Sequence, residues 1–500
     1  MIQQSRLFLC LKTFSPKEWQ QLESYLLSPF LNKNDKLVLF FNLLKEEKFN
    51  LDAPALEKSV LMRKLFSKGE KGASNLGNLM TQFLNVIYEF WYFQYAQNKK
   101  EDISYWPVIF NILQKKDLPK IWLINYNKWK KEDEKNTIQN VAYFYNKYLV
   151  LERLYDFTID YPKEKVNIDL QEVTNAFETY VIFNNLTHCC GMLNSSQFRQ
   201  LNTSQVLIER THHDIIAKKL YDIPSIKLYH TAFLMLKNPS DVSHFQELKI
   251  LRNKTDKKLS PTSCLPNDEV RFIYTLALNY CTGKIINGDT RYYREMFDLY
   301  RYLLNEKLLY EASENNNKSY ISINHVKNTV TLGIRLKELE WIKQFVEAHR
   351  KKVLPNLQED CYKFNMALIY FEEKKYDKVV EMLRDIEAYI NYFYQIDCRV
   401  LLLKTYYETH HSEPLISLSD TFRKQLTNNS FKLSKSRKNA YKNFNTYLLK
   451  LCKLRDKVQK KRLCLALNKL AESIENLNAI SDKQWLLEKI SVLKAKNKCG

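Results

Sequence analysis

The chain has 500 residues, more than one simple core organises, so two to four compact domains or one elongated repeat array are expected. Its apolar fraction of 45% and charged fraction of 27% are those of an ordinary folded protein, and only 8 glycines and 12 prolines argue against a turn-rich sheet protein. The formal charge is +21, yet 59 of the 77 basic residues are lysine, which keeps helix faces wet and is a poorer bidentate phosphate ligand than arginine.

At the N-terminus, MIQQSRLFLCLKTF holds an apolar run of only five residues between Arg6 and Lys12, too short for a secretory signal. No stretch approaches the ~20 apolar residues of a membrane span. Ten scattered cysteines without a C-x-x-C read as reduced thiols, and the expected address is the cytoplasm.

The stretch FSPKEW (14–19) has the grammar of a helix start. Ser15 suits the N-cap, Pro16 the first helical position, and Glu18 can close a capping box, with Phe14 stapled to Trp19. Trp19, Leu22 and Leu26 continue the period until Ser28-Pro29 stops it. A second helix starts near Asp35 and carries Leu37, Phe40, Phe41 and Leu44. A third covers about 54–66, the stretch SKGEKGASNLG (67–77) reads as a loop, and a strongly aromatic helix follows over 80–97. Further on, Pro119, Pro162, Pro224, Pro239 and Pro355 fall between periodic runs, while 253–268 and the polar tract 314–319 are irregular.

Between 330 and 423 the chain repeats weakly every 37 residues. Second helices are expected to start at Leu339, Tyr376 and Glu413, followed three residues later by Ile342, Val379 and Ile416. On the preceding helices Leu332, Ile369 and Tyr406 correspond, as do Gly333, Tyr370 and Tyr407. A lone helix pair cannot bury its apolar face, so such pairs stack. The unit NMALIYFEEKKYDKVVEML (365–383) resembles a tetratricopeptide repeat, with Ala367, Tyr370, Tyr376, Val379 and Leu383 at that family's small, aromatic and apolar positions. It departs from the family in Val379 for alanine, in the longer period and in the missing closing proline. Asp420 stands at an expected apolar position of the third unit, where the register can slip. The overall plan, including SPFLN after the first helix and the ending WLLEK, is similar to uncharacterised bacterial all-helical proteins of comparable length. The expected fold is therefore all-α: an α-α helical-repeat superhelix with an N-terminal helical domain (1–98), an irregular array (99–320), tetratricopeptide-like pairs (321–428) and basic C-terminal helices capping the array (429–500).

From Arg423 to Arg462 stand 14 basic residues and one acid, Asp456. A long helix from about Ser434 or Ser436 would place Tyr441, Phe444, Tyr447, Leu448, Leu451, Leu454 and Val458 on a packing face. Lys438, Lys442, Lys450, Lys453, Lys457 and Lys460 would fall on the other, as a stripe able to contact an anion or nucleic acid. Arg455 lands among the apolar positions. A closing helix is expected from Asp482, where ISDKQW (480–485) echoes the first capping box through Ile480, Ser481, Gln484 and Trp485.

Chemistry is sparse. KGEKGASN lacks the spacing of a phosphate-binding loop, and no nucleophile elbow or metalloprotease motif occurs. His188-Cys189-Cys190, with His212 and His213 downstream, is the densest candidate for a metal, but adjacent cysteines on a helix point apart and read better as buried thiols. Glu209/His212 and Glu408/His411 have the Glu-x-x-His spacing of carboxylate bundles. No catalytic, cofactor or metal residue is assigned. The leading expectation is a non-catalytic scaffold that binds another polypeptide, with Lys363 and Lys404 among its contacts. Nucleic-acid or anionic-surface binding through the lysine stripe is the second, and an enzyme whose site assembles from distant residues the third.

Overall fold

In the computed structural model, residues 4–47, 49–66, 72–98, 105–164, 166–196, 205–252, 261–312, 318–384, 392–428, 435–457, 460–477 and 479–497 are described. The fold is all-α, as the scarcity of turn residues predicts; the one exception among these residues is an antiparallel hairpin pairing Tyr310–Ala312 with Ser319–Ile321. No helix among them is long and apolar enough to cross a membrane. The chain forms two compact units, Met1–Lys237 with Val242–Pro266, and Asn238–Asp241 with Asn267–Gly500.

The first unit opens with helices Arg6–Leu11, Pro16–Leu26, Asp35–Glu46, Lys58–Leu65 and Gly72–Asn98, which share one core built on Phe8, Leu22, Phe40, Phe83 and Ile87. The capping box forms as read: Glu18 N–H donates to Ser15 Oγ at 3.3 Å, and Ser15 N–H to Glu18 Oε2 at 2.7 Å. Phe14 packs against Trp19, ring centres 5.2 Å apart and tilted. The expected loop 67–77 is corrected from Gly72 onward, because the aromatic helix begins there, eight residues before its expected start. A short helix, Arg6–Leu11, also precedes the first expected one, capped by Ser5. A second core centres on Trp122, stacked 4.0 Å from Phe157 and tilted 4.7 Å from Phe110, and joins helices Tyr105–Lys115, Pro119–Asp133 and Val141–Asp160. Helix Leu170–Ser196 then packs on Val141–Asp160 and on Pro224–Lys237.

In the second unit the 37-residue spacing corresponds to real helix pairs: Ile323–Arg335 with Leu339–His349, Gln358–Glu372 with Tyr376–Met382, and Tyr392–Glu408 with Ser412–Asn428. Each first helix packs on the next first helix, and each second helix fills the joint. The three turns share one geometry. Lys337, Lys374 and His410 adopt left-handed φ values of 61°, 58° and 61°. The amides of Glu338, Lys375 and His411 each donate back to the carbonyl five residues earlier, on Gly333, Tyr370 and Tyr406. That is a Schellman closure, satisfying carbonyls the helix end would leave open.

The third pair departs from the expected register by one residue. Its turn closes at His410, so the second helix begins at Ser412, not Glu413. Leu415 thereby takes the buried place of Ile342 and Val379, whereas Ile416 is 46% exposed. Ser419 is buried in the position where Asp420 would have been unfavourable, and Asp420 faces solvent.

Helices Lys435–Lys457, Lys460–Glu475 and Lys483–Lys496 follow and share a core with the third pair. The expected second capping box does not form. Asp482 is itself the cap residue, at φ 49°, with no side-chain capping bond. Its carboxylate is taken by Lys404 at 2.7 Å, Gln484 accepts from Arg335, and Ser481 donates to Asp482. Contacts distant in sequence override the local cap. Lys404 is consequently not the free contact expected of it: it is 14% exposed and lies over the rings of Phe371 and Trp485. Lys363 pairs within its own helix with Glu359.

Candidate functional site

Helix Lys435–Lys457 is held by Phe444, Leu448, Leu451 and Cys452, all buried at helical spacing against Leu415, Phe422, Leu467 and Leu486 of neighbouring helices. Tyr441 lies half-buried beside Phe422 and donates to Asp397 Oδ1 at 2.9 Å, and burial pushes its phenol pKa up. Asn445, also buried, donates to the Ser419 carbonyl at 3.0 Å. The aromatics of this helix thus belong to the packing side, as the period implies, and not to an exposed stacking surface.

Arg455, the residue out of place in the apolar arc, has a structural task. Its side chain is 7% exposed. It donates to the Tyr407 carbonyl at 2.6 Å and to Ser412 Oγ at 3.2 Å, sits over the Tyr407 ring, and pairs with Asp456 at 2.8 Å. Those hydrogen bonds from Arg455 hold the Asp456 carboxyl down at about 2. Ser412 donates to the same carboxylate at 2.5 Å, and the Cys452 thiol at 3.4 Å. The cluster ties the turn between the two helices of the third pair to the basic helix. Burial pushes the Cys452 thiol up, away from the thiolate a nucleophile needs.

The lysine stripe lies on the outer side. Lys438 and Lys442 are half-buried along their stems, and Lys450 and Lys453 are exposed, Lys450 lying 4.8 Å from the Tyr447 ring centre. Among the described residues no carboxylate pairs with any of these four, and the single acid of the helix, Asp456, is consumed by Arg455. Lys457 and Lys460 are helical in backbone; their side chains, like Val458, lie outside the described residues. The described part of the site is therefore a row of like charges without counter-charge among the described residues, an arrangement that suits a polyanion.

The other sequence candidates are dispersed. His188 is exposed, while Cys189 and Cys190 are fully buried on the opposite side, donating to Thr211 Oγ1 and to the Tyr229 carbonyl. Burial pushes both thiols up. Glu209 pairs with Lys237 at 2.7 Å and Glu408 with Lys489 at 2.8 Å, so each Glu-x-x-His carboxylate is occupied by a lysine. His213 lies beside Asp214, and His411 beside Thr409. No group of three or more His, Cys, Asp or Glu side chains is placed to hold a metal among the described residues. Among the described residues eight cysteines are free thiols, but Cys464 is disulfide-bonded, which corrects the expectation of thiols throughout.

Two features escaped the sequence reading. His212 Nδ1 lies 3.1 Å from His230 Nε2, and His230 is only 6% exposed. A lone histidine in the apolar run LYHTAFLMLK was the available signal. In the N-terminal helices an open groove of about 330 Å³ is lined by Gln20, Ser24, Tyr25, Leu31, Phe90 and Phe93; neither its polar nor its apolar residues form a motif. Comparison of the chain with protein-family models, with curated proteins and with solved structures gave no match.

Proposed function

We propose that the protein is a non-catalytic helical-repeat scaffold, its helix pairs wound as a tetratricopeptide-like superhelix that binds another polypeptide. The observation carrying this reading is the serial order of the pairs in 323–428, each closed by the same left-handed turn and buried on its neighbours. Arrays of that kind act by presenting an extended surface. The expected cytoplasmic address draws on the eight free thiols; the Cys464 disulfide weighs against it. The test is affinity capture from native lysate, with and without nuclease treatment, at about 50 mM and about 500 mM salt. A protein retained in fixed proportion at both concentrations is the expected result, and capture of nucleic acid alone refutes the reading.

The uncompensated stripe favours a second reading, binding of single-stranded nucleic acid through Lys438, Lys442, Lys450 and Lys453, with Lys457 and Lys460 continuing the row. Each phosphate neutralised contributes about 0.7 to the slope of log affinity against log salt. Replacing those four described lysines with glutamine should lower the slope by up to about 3 and leave the fold intact, as they are unpaired. An unchanged slope rejects the stripe.

A further inference from the structure

Helices Tyr105–Lys115 and Pro119–Asp133 form an antiparallel pair whose inner sides meet through Phe110 and Trp122. Trp106 Nε1 donates to Glu132 Oε2 at 3.2 Å, and Lys128 lies over the Trp106 ring. These contacts bring the Lys128 side of the second helix against the Trp106 side of the first. Ile124 and Ile121 lie four and seven residues before Lys128, on that same side. Tyr105, Ile109 and Ile112 recur at the matching spacing along the first helix. Both rows run along the solvent side of the joint: Tyr105 is 46% exposed, Ile112 41%, Ile121 45% and Ile124 68%, with Leu118 exposed at the turn.

Apolar side chains at helical spacing normally face a core. Here a row from each of two adjacent helices faces water, which marks an interaction surface more than scattered exposure does. Lysines surround it. Lys115, Lys116, Lys120 and Lys131 are exposed, and none has a carboxylate partner among the described residues. Carboxylates are fewer there: Asp133 pairs with Lys147, Glu132 accepts from Trp106 and lies 4.0 Å from Lys128, Asp117 accepts from Tyr161, and Glu134 is exposed, so the stretch keeps an excess of positive charge.

We propose that this seam docks an amphipathic helix of another polypeptide, one that carries Asp and Glu beside its apolar stripe. The proposal rests on the polypeptide-binding reading and names the partner's chemistry. Charge selects an acidic occupant, because a neutral or basic one would leave the lysine rim uncompensated. Two parallel ridges of branched side chains form the groove into which a third helix packs. A helix buried in an anionic membrane surface would instead present a broader face rich in Trp, Phe and Leu. The seam, at about 1.5 Å per residue, spans roughly 16–22 Å, the length of a helix of about 11–15 residues.

The test is selection from a display library of peptides about 14 residues long, the length the seam accommodates. The baits are the full wild-type chain, an Ile112→Ser/Ile121→Ser/Ile124→Ser variant, and a Lys115→Glu/Lys120→Glu/Lys131→Glu variant. All substituted residues are solvent-exposed, and unchanged thermal unfolding verifies each bait. Peptides selected by the wild type should carry apolar residues at i, i+3 or i+4 and i+7 with a net negative charge. They should bind the serine variant at least about tenfold more weakly, a loss of about 1.4 kcal/mol, and the glutamate variant should select lysine-flanked peptides instead. Equal binding to wild type and serine variant dismisses the seam but keeps polypeptide binding. No selected peptide at all rejects both. Sedimentation with phosphatidylserine-containing vesicles that the serine variant loses and no selected peptide competes away assigns the seam to a membrane and overturns the proposal.

Discussion

His230 is a buried base whose proton affinity should be measurable as stability. It lies on helix Pro224–Lys237, 6% exposed, its Nε2 3.1 Å from His212 Nδ1, with Phe233 against its ring. Burial, then the neighbouring His212, His244 and Lys237, hold its pKa down at about 4, against about 6.5 for a free imidazole. The sign follows from proton uptake. Above about pH 6.5 neither folded nor unfolded chain carries this proton, so stability is unaffected. Between about 6.5 and about 4 the unfolded chain takes it up and the folded one does not, so stability falls as pH falls; below about 4 the loss levels off. At pH 4.5 the deficit is roughly 2.5 kcal/mol, since each unit of displaced pKa is worth about 1.4 kcal/mol. His212, depressed by the same burial, acts in the same direction. The assay is amide hydrogen exchange of residues 224–237 at about pH 7 and about pH 4.5, because exchange reads this element without requiring both units to unfold together. In His230→Gln, which keeps a hydrogen-bonding group but cannot titrate, the pH-dependent loss should shrink by roughly 2.5 kcal/mol, whatever the absolute stability. An equal loss in both proteins, or an imidazole titrating near 6.5 in the folded chain, refutes the reasoning.

Gly333→Ala should destabilise the second unit by about 1–3 kcal/mol in urea unfolding, because the new Cβ drives into the buried Ile342 side chain; Ile342→Ala should relieve part of the added cost. Lys374→Gly should raise stability by up to about 1 kcal/mol, since φ is 58° there and glycine adopts that geometry without strain. Arg455→Met should cost about 3 kcal/mol and expose the helix 435–457 amides to exchange, as Asp456 and the Tyr407 carbonyl lose their shared donor. Asp456, depressed to about 2, supports stability fully above its unfolded pKa near 3.9. That support should vanish as pH falls toward 2, a loss of about 1–2 kcal/mol allowing for its partial exposure, and Asp456→Asn should flatten this part of the acid-unfolding curve.

Local grammar was readable wherever the chain satisfies its own backbone. Ser15, Pro16 and Glu18 announce a helix start, and the same residues make the observed bonds. The same grammar misled at ISDKQW, because Asp482 is claimed by Lys404, 78 residues away, and a partner at that distance leaves no local mark. Glycines misled too: Gly72 and Gly77 belong to a helix whose aromatic face supplies more burial than two glycines cost. The turns at Lys337, Lys374 and His410 carry no glycine at their left-handed positions, so turn chemistry could not reveal them and only the period did. Where the third turn closed one residue early, the period itself erred, and Ile416 was read as buried in place of Leu415. In the basic helix the angular position of Arg455 was legible, but not the Tyr407 carbonyl that explains it.

The positive charge is unevenly spent, and that unevenness is informative. In the second unit, lysines facing neighbouring helices are pinned: Lys327 to Asp397, Lys343 to Glu373, Lys404 to Asp482 and Lys489 to Glu408. Acids are placed between helices, where a counter-charge keeps a half-buried ammonium from costing stability. With 56 acids against 77 bases, that usage leaves the outer faces short of carboxylate. Unpaired lysines stand on many outer faces, Lys17, Lys58, Lys219, Lys337, Lys374 and Lys496 among them, but two stretches gather several each, 115–131 in one unit and 438–453 in the other. Only the first borders an apolar seam, so the two should differ in salt response: binding at 438–453 should weaken steeply, while binding at 115–131 should weaken less because it keeps its apolar share. Equal salt slopes at the two surfaces would mean that neither is more than a solvated helix face.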